Sequence, residues 1–170
     1  MISGNIIFEP LVTGVGSMAT AWAVTHWLSL NTKPDLAINS GIAGSFREDI
    51  RIGEVVLPVS DCFADAGVEA EDGFLTLAEA GLENPDKFPF AGGRIITGNK
   101  FIDKASERLR TVDAISVNTA TGALSTRHRL VSKFDPDIET MEGSAFFYVC
   151  KRIDVPFMAF RSVSNMVEAR

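Results

Sequence analysis

Apolar residues recur along this chain in two patterns that predict alternating strands and helices. Between Ser17 and Leu30 they return every three or four positions, which predicts an amphipathic helix. A second helix is predicted over residues 100–109, and a third begins at Glu142. Continuous apolar runs predict extended, buried segments over residues 6–13, 36–39, 54–63, 114–119 and 156–165.

This alternation is typical of an α/β domain with a largely parallel, twisted sheet covered on both faces. Ligands of such folds bind at the carboxyl ends of strands, and Gly, Asn, Ser and Thr are concentrated there in this chain. Residues 65–93 carry little periodicity and are predicted to form a long irregular excursion.

Composition narrows the class of protein further. A chain of 170 residues, 46% hydrophobic, can bury one full core, so we expect a single domain over residues 1–170. The net charge of -6 and the scattered Lys and Arg residues argue against a nucleic-acid partner. No apolar run reaches membrane-spanning length and the first residues do not resemble a signal peptide, so we expect no membrane partner and a cytoplasmic protein.

Residues that could hold a metal are isolated from one another. Cys62 and Cys150 stand in apolar surroundings without a CxxC pair, and neither His26 nor His128 has a partner at ligand spacing. We therefore expect buried, reduced thiols and no metal site.

Glycine-rich segments give poor cofactor signatures. TGVGSMA formally fits a dinucleotide-binding turn, but the acidic residue Asp35 precedes the next strand and cannot reach a ribose from its carboxyl end. GRIITGNK places Asn99 where a phosphate-binding loop has lysine. NSGIAGS, residues 39–45, is the better candidate for ligand contact, with a plain tight turn as the open alternative.

Glu142 is a carboxylate on the predicted inner face of its helix, in register with Ala145, Phe146 and Val149. The helix dipole favours an anion at this end. Such a carboxylate could accept hydrogen bonds from two vicinal ribose hydroxyls and stabilise an oxocarbenium-like sugar. A solvated glutamate in the first helical turn is the simpler alternative.

Asn165 ends a strand that is otherwise built for burial. Its amide offers a donor and an acceptor side by side, which complements O6 and a protonated N7 of a 6-oxopurine. An aminopurine would instead require an acceptor facing its exocyclic amine. An asparagine capping a turn is the common structural alternative.

Five segments in this order resemble the purine nucleoside phosphorylase and nucleosidase superfamily, and most closely its futalosine hydrolase branch. They are TGVGSMATAW, PDLAINSGIAGSF, GEVVLPVSD, TMEGSAFFYVC and VPFMAFRSVSNMVEAR. The resemblance implies a three-layer phosphorylase/hydrolase-like fold with a twisted, mixed and mostly parallel central sheet flanked by helices.

The resemblance also implies roles for individual residues. Met141 and Glu142 would hold the ribose, and Asn165 would be the catalytic residue that holds and protonates the base. The aminopurine nucleosidases have aspartate at that place, so asparagine favours hypoxanthine as the leaving base. Loop residues flanking the base would be Ala43, Gly44, Thr119, Ala120, Thr121 and Gly122, the last four mainly through their backbone.

Compared with the family pattern, the chain is expected to be incomplete at both ends. The first apolar strand, whose turn carries the Glu that orients the attacking water, would precede Met1, and the closing C-terminal helix would follow Arg170.

Three functions follow from the resemblance, none needing a cofactor. The first is hydrolysis of futalosine to hypoxanthine and dehypoxanthine futalosine, a step of menaquinone biosynthesis. The second is another purine nucleosidase, or a phosphorylase acting on inosine or guanosine, which would need arginines around phosphate where only Arg47 is near. The third is a nucleoside-binding module without activity.

A homodimer or higher homo-oligomer is also expected. Val15, Met18 and Trp22 would form an apolar surface, and relatives complete the 5'-pocket across a two-fold axis. Val15, Phe88 and Pro89 are therefore the candidates for reaching a neighbouring site.

Overall fold

The computed structural model describes residues 6–71 and 73–168, and helices and strands alternate along them. The helices are α1 (Ser17–Leu30), α2 (Lys100–Ser106), α3 (Leu124–Phe134) and α4 (Gly143–Ile153). The strands are β1 (Ala37–Ser45), β2 (Val55–Asp61), β3 (Gly67–Ala70), β4 (Gly73–Thr76), β5 (Ile95–Ile96), β6 (Arg110–Ser116), β7 (Ile138–Thr140) and β8 (Phe157–Met166).

Six of these strands form the central sheet, in the order β5-β2-β6-β7-β1-β8. A further antiparallel pairing of β2 with β8 closes five of the strands into a ring. The longest pairing is parallel and joins β1 to β8 from Ala37 opposite Phe157 to Ser45 opposite Met166. Parallel pairs also join β2 to β6 and β6 to β7, whereas the antiparallel pairs are short. The mixed, mostly parallel sheet flanked by helices is thus confirmed.

The strand predicted over residues 6–13 is wrong. Those residues carry no regular secondary structure, and the apolar side chains of Ile7, Phe8 and Val12 are exposed. The closed ring explains this, because β1 is already paired on one side with β7 and on the other with β8.

The glycine-rich segment at 39–45 was predicted to be a loop, but it forms all of β1 except the first two residues. Backbone pairing to β8 holds it extended, with an irregularity between Ala43 and Gly44. Smaller corrections apply elsewhere: the second predicted helix ends at Ser106, and β6 begins at Arg110 and ends at Ser116.

Helices α1 and α4 pack together over one part of the sheet. Val24 of α1 joins Phe146, Phe147 and Val149 of α4 and Phe157 of β8 in one buried cluster. Aromatic rings meet there edge to face, with the Phe146 and Phe157 centroids 5.8 Å apart. This cluster fixes the position of α4, and with it the segment that enters α4.

Several elements were not predicted from the pattern. They are helix α3, the short strands β5 and β7, and the β3–β4 hairpin within the excursion at 65–93. Asn99 has a structural role, because its side chain accepts hydrogen bonds from the backbone of Phe101 and Ile102 and caps α2.

Within the described ranges, none of the helices is both long and apolar enough to cross a membrane.

Candidate functional site

The turn that leads into α1 lies against the segment that leads into α4. Gly16 donates its backbone N–H to Oε1 of Glu142 at 3.0 Å, and Ser17 Oγ donates to the carbonyl of Met141 at 3.2 Å. Gly16 has a φ of 89°, which favours glycine. The TGVG turn is therefore a partner of the predicted ribose carboxylate.

Glu142 lies one residue before α4 and makes no hydrogen bond to the free backbone N–H groups of that helix. Its half-buried carboxylate instead turns towards Gly16. The helix begins at Gly143, one residue later than predicted, so Glu142 occupies the position just before it. That its side chain follows the apolar face of the helix stays a prediction.

Arg161 is a buried cation in the middle of β8, only 1% exposed. Its guanidinium donates to the carbonyls of Asn39 and Phe160, both at 3.0 Å, and to Oδ1 of Asn39. Its Nε finds no hydrogen-bond partner among the described residues. Burial lowers the pKa of Arg161, while the charges of Asp61 and Glu142 act in the opposite direction. Arg161 thus supplies positive charge beside Glu142.

Asn165 lies near the end of β8 with its amide held in one orientation. Oδ1 accepts a hydrogen bond from Ser164 Oγ at 2.8 Å, and Nδ2 donates to the carbonyl of Met166 at 2.9 Å. Gly44 pairs with Asn165 across the β1–β8 boundary, and a Cβ placed there would lie 3.3 Å from Nδ2. The same Cβ would lie 2.8 Å from Cγ2 of Val167, so a residue without a side chain allows Val167 and the Asn165 amide to approach this strand closely.

The segment between β6 and α3 is tied to the same edge through Glu139. This buried carboxylate of β7 accepts hydrogen bonds from the backbone N–H of Thr121 at 2.9 Å and from Thr121 Oγ1. Glu139 also lies opposite Gly44 in the β1–β7 pairing. Glu139 therefore ties Thr121 to the strand that pairs with Gly44, and Thr119 and Ala120 are exposed.

Asp61, at the end of β2, is the most enclosed carboxylate near α4, at 1% exposure. Burial raises its pKa to about 6, although hydrogen bonds from Ser144 and Ser116 and the charges of Arg161 and Arg94 favour the ionised form. It therefore titrates closer to neutrality than an ordinary aspartate.

Both cysteines are buried and free, as predicted. Burial raises the pKa of Cys62 and of Cys150 to about 12, so both remain thiols at neutral pH. Across residues 6–71 and 73–168, no three His, Cys, Asp or Glu side chains cluster closely enough to hold a metal ion.

The candidates for contact with a second subunit differ in exposure. Val15 is 77% exposed and Phe88 60%, and Met18 and Trp22 are also exposed. Pro89 is buried, because it is enclosed within its own chain, and so cannot reach a neighbouring site in this arrangement.

Asp61, Glu139 and Arg161 were missed as candidates from the sequence. Arg161 carried a usable signal, because a charge inside the apolar run PFMAFRSV requires a partner. Asp61 and Glu139 carried no such signal, since their partners come from strands and helices distant in sequence.

Comparison with known proteins shows the family of the chain. The model of the phosphorylase superfamily matches residues 11–170, and the chain therefore belongs to that superfamily.

Solved structures with the same fold include nucleosidases from several bacteria. The futalosine hydrolase of Helicobacter pylori strain 26695 superimposes with a TM-score of 0.75 at 20% identity, over 92% of this chain and 65% of that one. The H. pylori 5'-methylthioadenosine/S-adenosylhomocysteine nucleosidase superimposes with a TM-score of 0.74 at 19% identity, over 92% of this chain and 66% of that one. A putative methylthioadenosine nucleosidase from Weissella paramesenteroides superimposes with a TM-score of 0.71 at 25% identity, over 91% of this chain and 65% of that one. This chain thus spans about two thirds of the length of these proteins.

Proposed function

We propose that this chain forms the nucleoside-binding part of an N-ribosyl hydrolase that cleaves futalosine into hypoxanthine and dehypoxanthine futalosine, a step of menaquinone biosynthesis. The proposal rests on superfamily membership for the reaction class and on the polar groups along β8 for the substrate. The H. pylori futalosine hydrolase is one of the proteins that share the fold.

The orientation of the Asn165 amide is the observation that carries the choice of base. With Oδ1 facing Ser164 and Nδ2 facing the Met166 carbonyl, each group keeps one further hydrogen-bonding direction. A 6-oxopurine would accept from Nδ2 through O6 and donate to Oδ1 through a protonated N7. A 6-aminopurine presents two donors to this edge and would leave the Nδ2 donor opposed by another donor.

Glu142 and Arg161 support a ribose position next to this base. A carboxylate that already accepts one backbone hydrogen bond has capacity left for two vicinal hydroxyls. Its negative charge would stabilise the positive charge that develops on the sugar ring as the base departs. The negative charge of Glu142 in turn favours the charged form of the buried Arg161.

In the proposed reaction, the oxygen of water forms the new bond to the anomeric carbon while the N-glycosidic bond breaks. The bonding electron pair passes to the purine, whose N7 takes a proton from solvent, and the resulting N7–H then donates to Asn165 Oδ1. Water loses one proton as it adds, so the products are neutral hypoxanthine and the free sugar.

Water is favoured over phosphate because Arg47, the cation expected near the glycine-rich strand, is already engaged. Its guanidinium forms ion pairs with Asp137 at 2.8 Å and with Asp135 at 2.9 Å. Hydrogen bonding to Asp137 is the largest contribution raising the pKa of Arg47, burial acts against it, and Asp135 adds to the increase. A guanidinium neutralised by two carboxylates is a weak ligand for a phosphate dianion.

The test is release of free hypoxanthine from futalosine, and from inosine with and without phosphate. We expect release from futalosine in the absence of phosphate. Turnover of inosine only when phosphate is present would establish a phosphorylase instead. Tight futalosine binding without release from a full-length version would establish a nucleoside-binding module.

Replacing Asn165 with Asp tests base recognition directly. The change removes the donor to O6, and an unmade hydrogen bond to a buried polar group costs about 1–3 kcal/mol, so kcat/KM for the 6-oxo nucleoside should fall roughly 10- to 100-fold. The 6-amino analogue should be cleaved better, because its amine gains an acceptor. Glu142→Gln is the control: it weakens ribose binding for both bases and should leave their ratio unchanged. An unaltered ratio in Asn165→Asp would show that Asn165 does not contact the purine.

We also propose that the protein pairs through the exposed surface formed by Val15, Met18 and Trp22. An apolar surface of this kind at the start of α1 lies close to Glu142, so a second copy would contact the edge of the ribose site. Sedimentation giving only monomer at micromolar concentration would contradict this.

A further inference from the structure

Asp61 is a buried carboxylate that contacts the start of α4 but to which the proposed reaction gives no role. Its Oδ1 accepts hydrogen bonds from Ser144 Oγ at 2.6 Å and from Ser116 Oγ at 3.0 Å. Ser144 is the second residue of α4, and Ser116 ends β6. The carboxylate therefore joins a strand end to the first turn of the helix that follows Glu142.

The same cluster satisfies the first backbone donors of α4. A helix leaves its first N–H groups without intrahelical partners. Ser144 N–H donates to Ser116 Oγ at 2.8 Å, and Gly143 N–H donates to Thr140 Oγ1 at 3.2 Å. The two hydroxyl oxygens lie 3.0 Å apart. Residues from β6 and β7 thus cap α4 in place of Glu142, whose carboxylate is directed to Gly16.

Charges around Asp61 couple it to Glu142. Arg161 on β8 attracts both carboxylates, and Arg94, before β5, attracts Asp61 from another side. Two carboxylates share one buried cation, so a change at Asp61 alters the electrostatic environment of Glu142.

We propose that Asp61 is a positioning residue that holds the first turn of α4 so that the Glu142 carboxylate stays directed at the ribose hydroxyls. This inference rests on the proposed function of Glu142. Asp61 is only 1% exposed, so the proposal gives it no direct contact with sugar or base. Its hydrogen bonds to Ser144 and Ser116 fix the helix start, and the helix start fixes Glu142.

Three variants separate positioning from general stability. Asp61→Asn removes the charge and keeps the size, and Ser144→Ala removes the link to α4 while leaving the carboxylate. Asp113→Asn is the matched control, because Asp113 accepts a hydrogen bond from Ser60, the neighbour of Asp61, and makes no hydrogen bond to α4 among the described residues. Far-UV circular dichroism confirms that each variant is folded.

The first measurement compares dissociation constants of inosine and 2',3'-dideoxyinosine by calorimetry. If Asp61 acts through Glu142, the variants should weaken binding only of inosine, the ligand that has both ribose hydroxyls. Hydrogen bonds to charged groups contribute about 1.5–3 kcal/mol, so inosine should bind roughly tenfold or more weakly to Asp61→Asn and Ser144→Ala, and the dideoxy compound within about twofold of wild type. Equal losses for both ligands would mean a purely structural role and would overturn the proposal.

The second measurement needs no ligand. The Gly16 amide is bonded to Glu142, so its hydrogen exchange reports the position of that carboxylate. We expect the Gly16 amide to exchange faster than in wild type in Asp61→Asn and Ser144→Ala. In Asp113→Asn its exchange rate should be unchanged. Unchanged exchange in both variants would overturn the positioning role. Equal binding of the two nucleosides to wild type, with faster exchange in the variants, would instead contradict the ribose function of Glu142 and leave the positioning role standing.

Discussion

Replacing Gly143 with Ala is expected to disrupt the start of α4. A Cβ at this residue would lie 2.0 Å from Asp61 Oδ2 and 2.9 Å from Thr140 Oγ1, well inside the ordinary contact distance of 3.4 Å. Asp61 cannot move aside without losing its hydrogen bonds, because Ser144 and Ser116 hold its carboxylate. Either the helix start or the carboxylate must therefore shift.

The size of the effect follows from those two contacts. Overpacking a filled interior costs about 1–3 kcal/mol. A displaced Asp61 would in addition lose hydrogen bonds to a buried charge, each contributing about 1.5–3 kcal/mol. With one such hydrogen bond lost, we expect Gly143→Ala to lower the free energy of unfolding by about 2.5–6 kcal/mol.

Equilibrium unfolding in urea measures this loss. Gly98→Ala is the matched control, since a Cβ there meets nothing within 4 Å and its φ is not in the left-handed region. The control should change the free energy of unfolding by no more than about 0.5 kcal/mol. A loss below about 1 kcal/mol in Gly143→Ala would show that Asp61 relaxes freely, and the argument that it clamps α4 would fail.

Two further predictions concern buried carboxylates. Burial raises the pKa of Asp61 from 3.8 to about 6, so between these values the folded protein binds more protons than the unfolded chain. The contribution of Asp61 to the free energy of unfolding should therefore fall by about 3 kcal/mol as the pH rises through this interval. Urea unfolding at several pH values measures this fall, which should be missing in Asp61→Asn. Glu139→Leu removes both acceptors of Thr121, which should cost about 1–3 kcal/mol and speed exchange of the Thr121 amide. An unchanged exchange rate would mean that Glu139 does not hold this segment.

The hydrophobic pattern by itself was sufficient for most long elements. Helix α1 was predicted with the bounds it has, and β2, β8 and α4 lie within a residue or two of the predicted segments. The α/β class also followed from the pattern, because alternating buried strands and amphipathic helices have few other ways to bury their apolar faces. The site residues Met141, Glu142 and Asn165 came from their motifs and remain predictions.

Only the tertiary structure decided which strands pair and what the polar residues contact. Residues 6–13 have the composition of a strand, but a strand needs a free edge, and the closed ring offers none beside β1. The composition of NSGIAGS is that of a turn, yet all nine residues of β1, including this segment, pair with β8. Backbone hydrogen bonding across the sheet outweighed the local preference of glycine for turns.

Long sequence separation explains why the contacts of the buried carboxylates were not predicted. Gly16 and Glu142 are 126 residues apart, and Asp61 and Ser144 are 83 apart. Local periodicity reports only which face of an element is apolar, over one or two turns of helix. A buried carboxylate finds its partner through the packing of distant elements, so its role becomes visible only when those elements have been brought together.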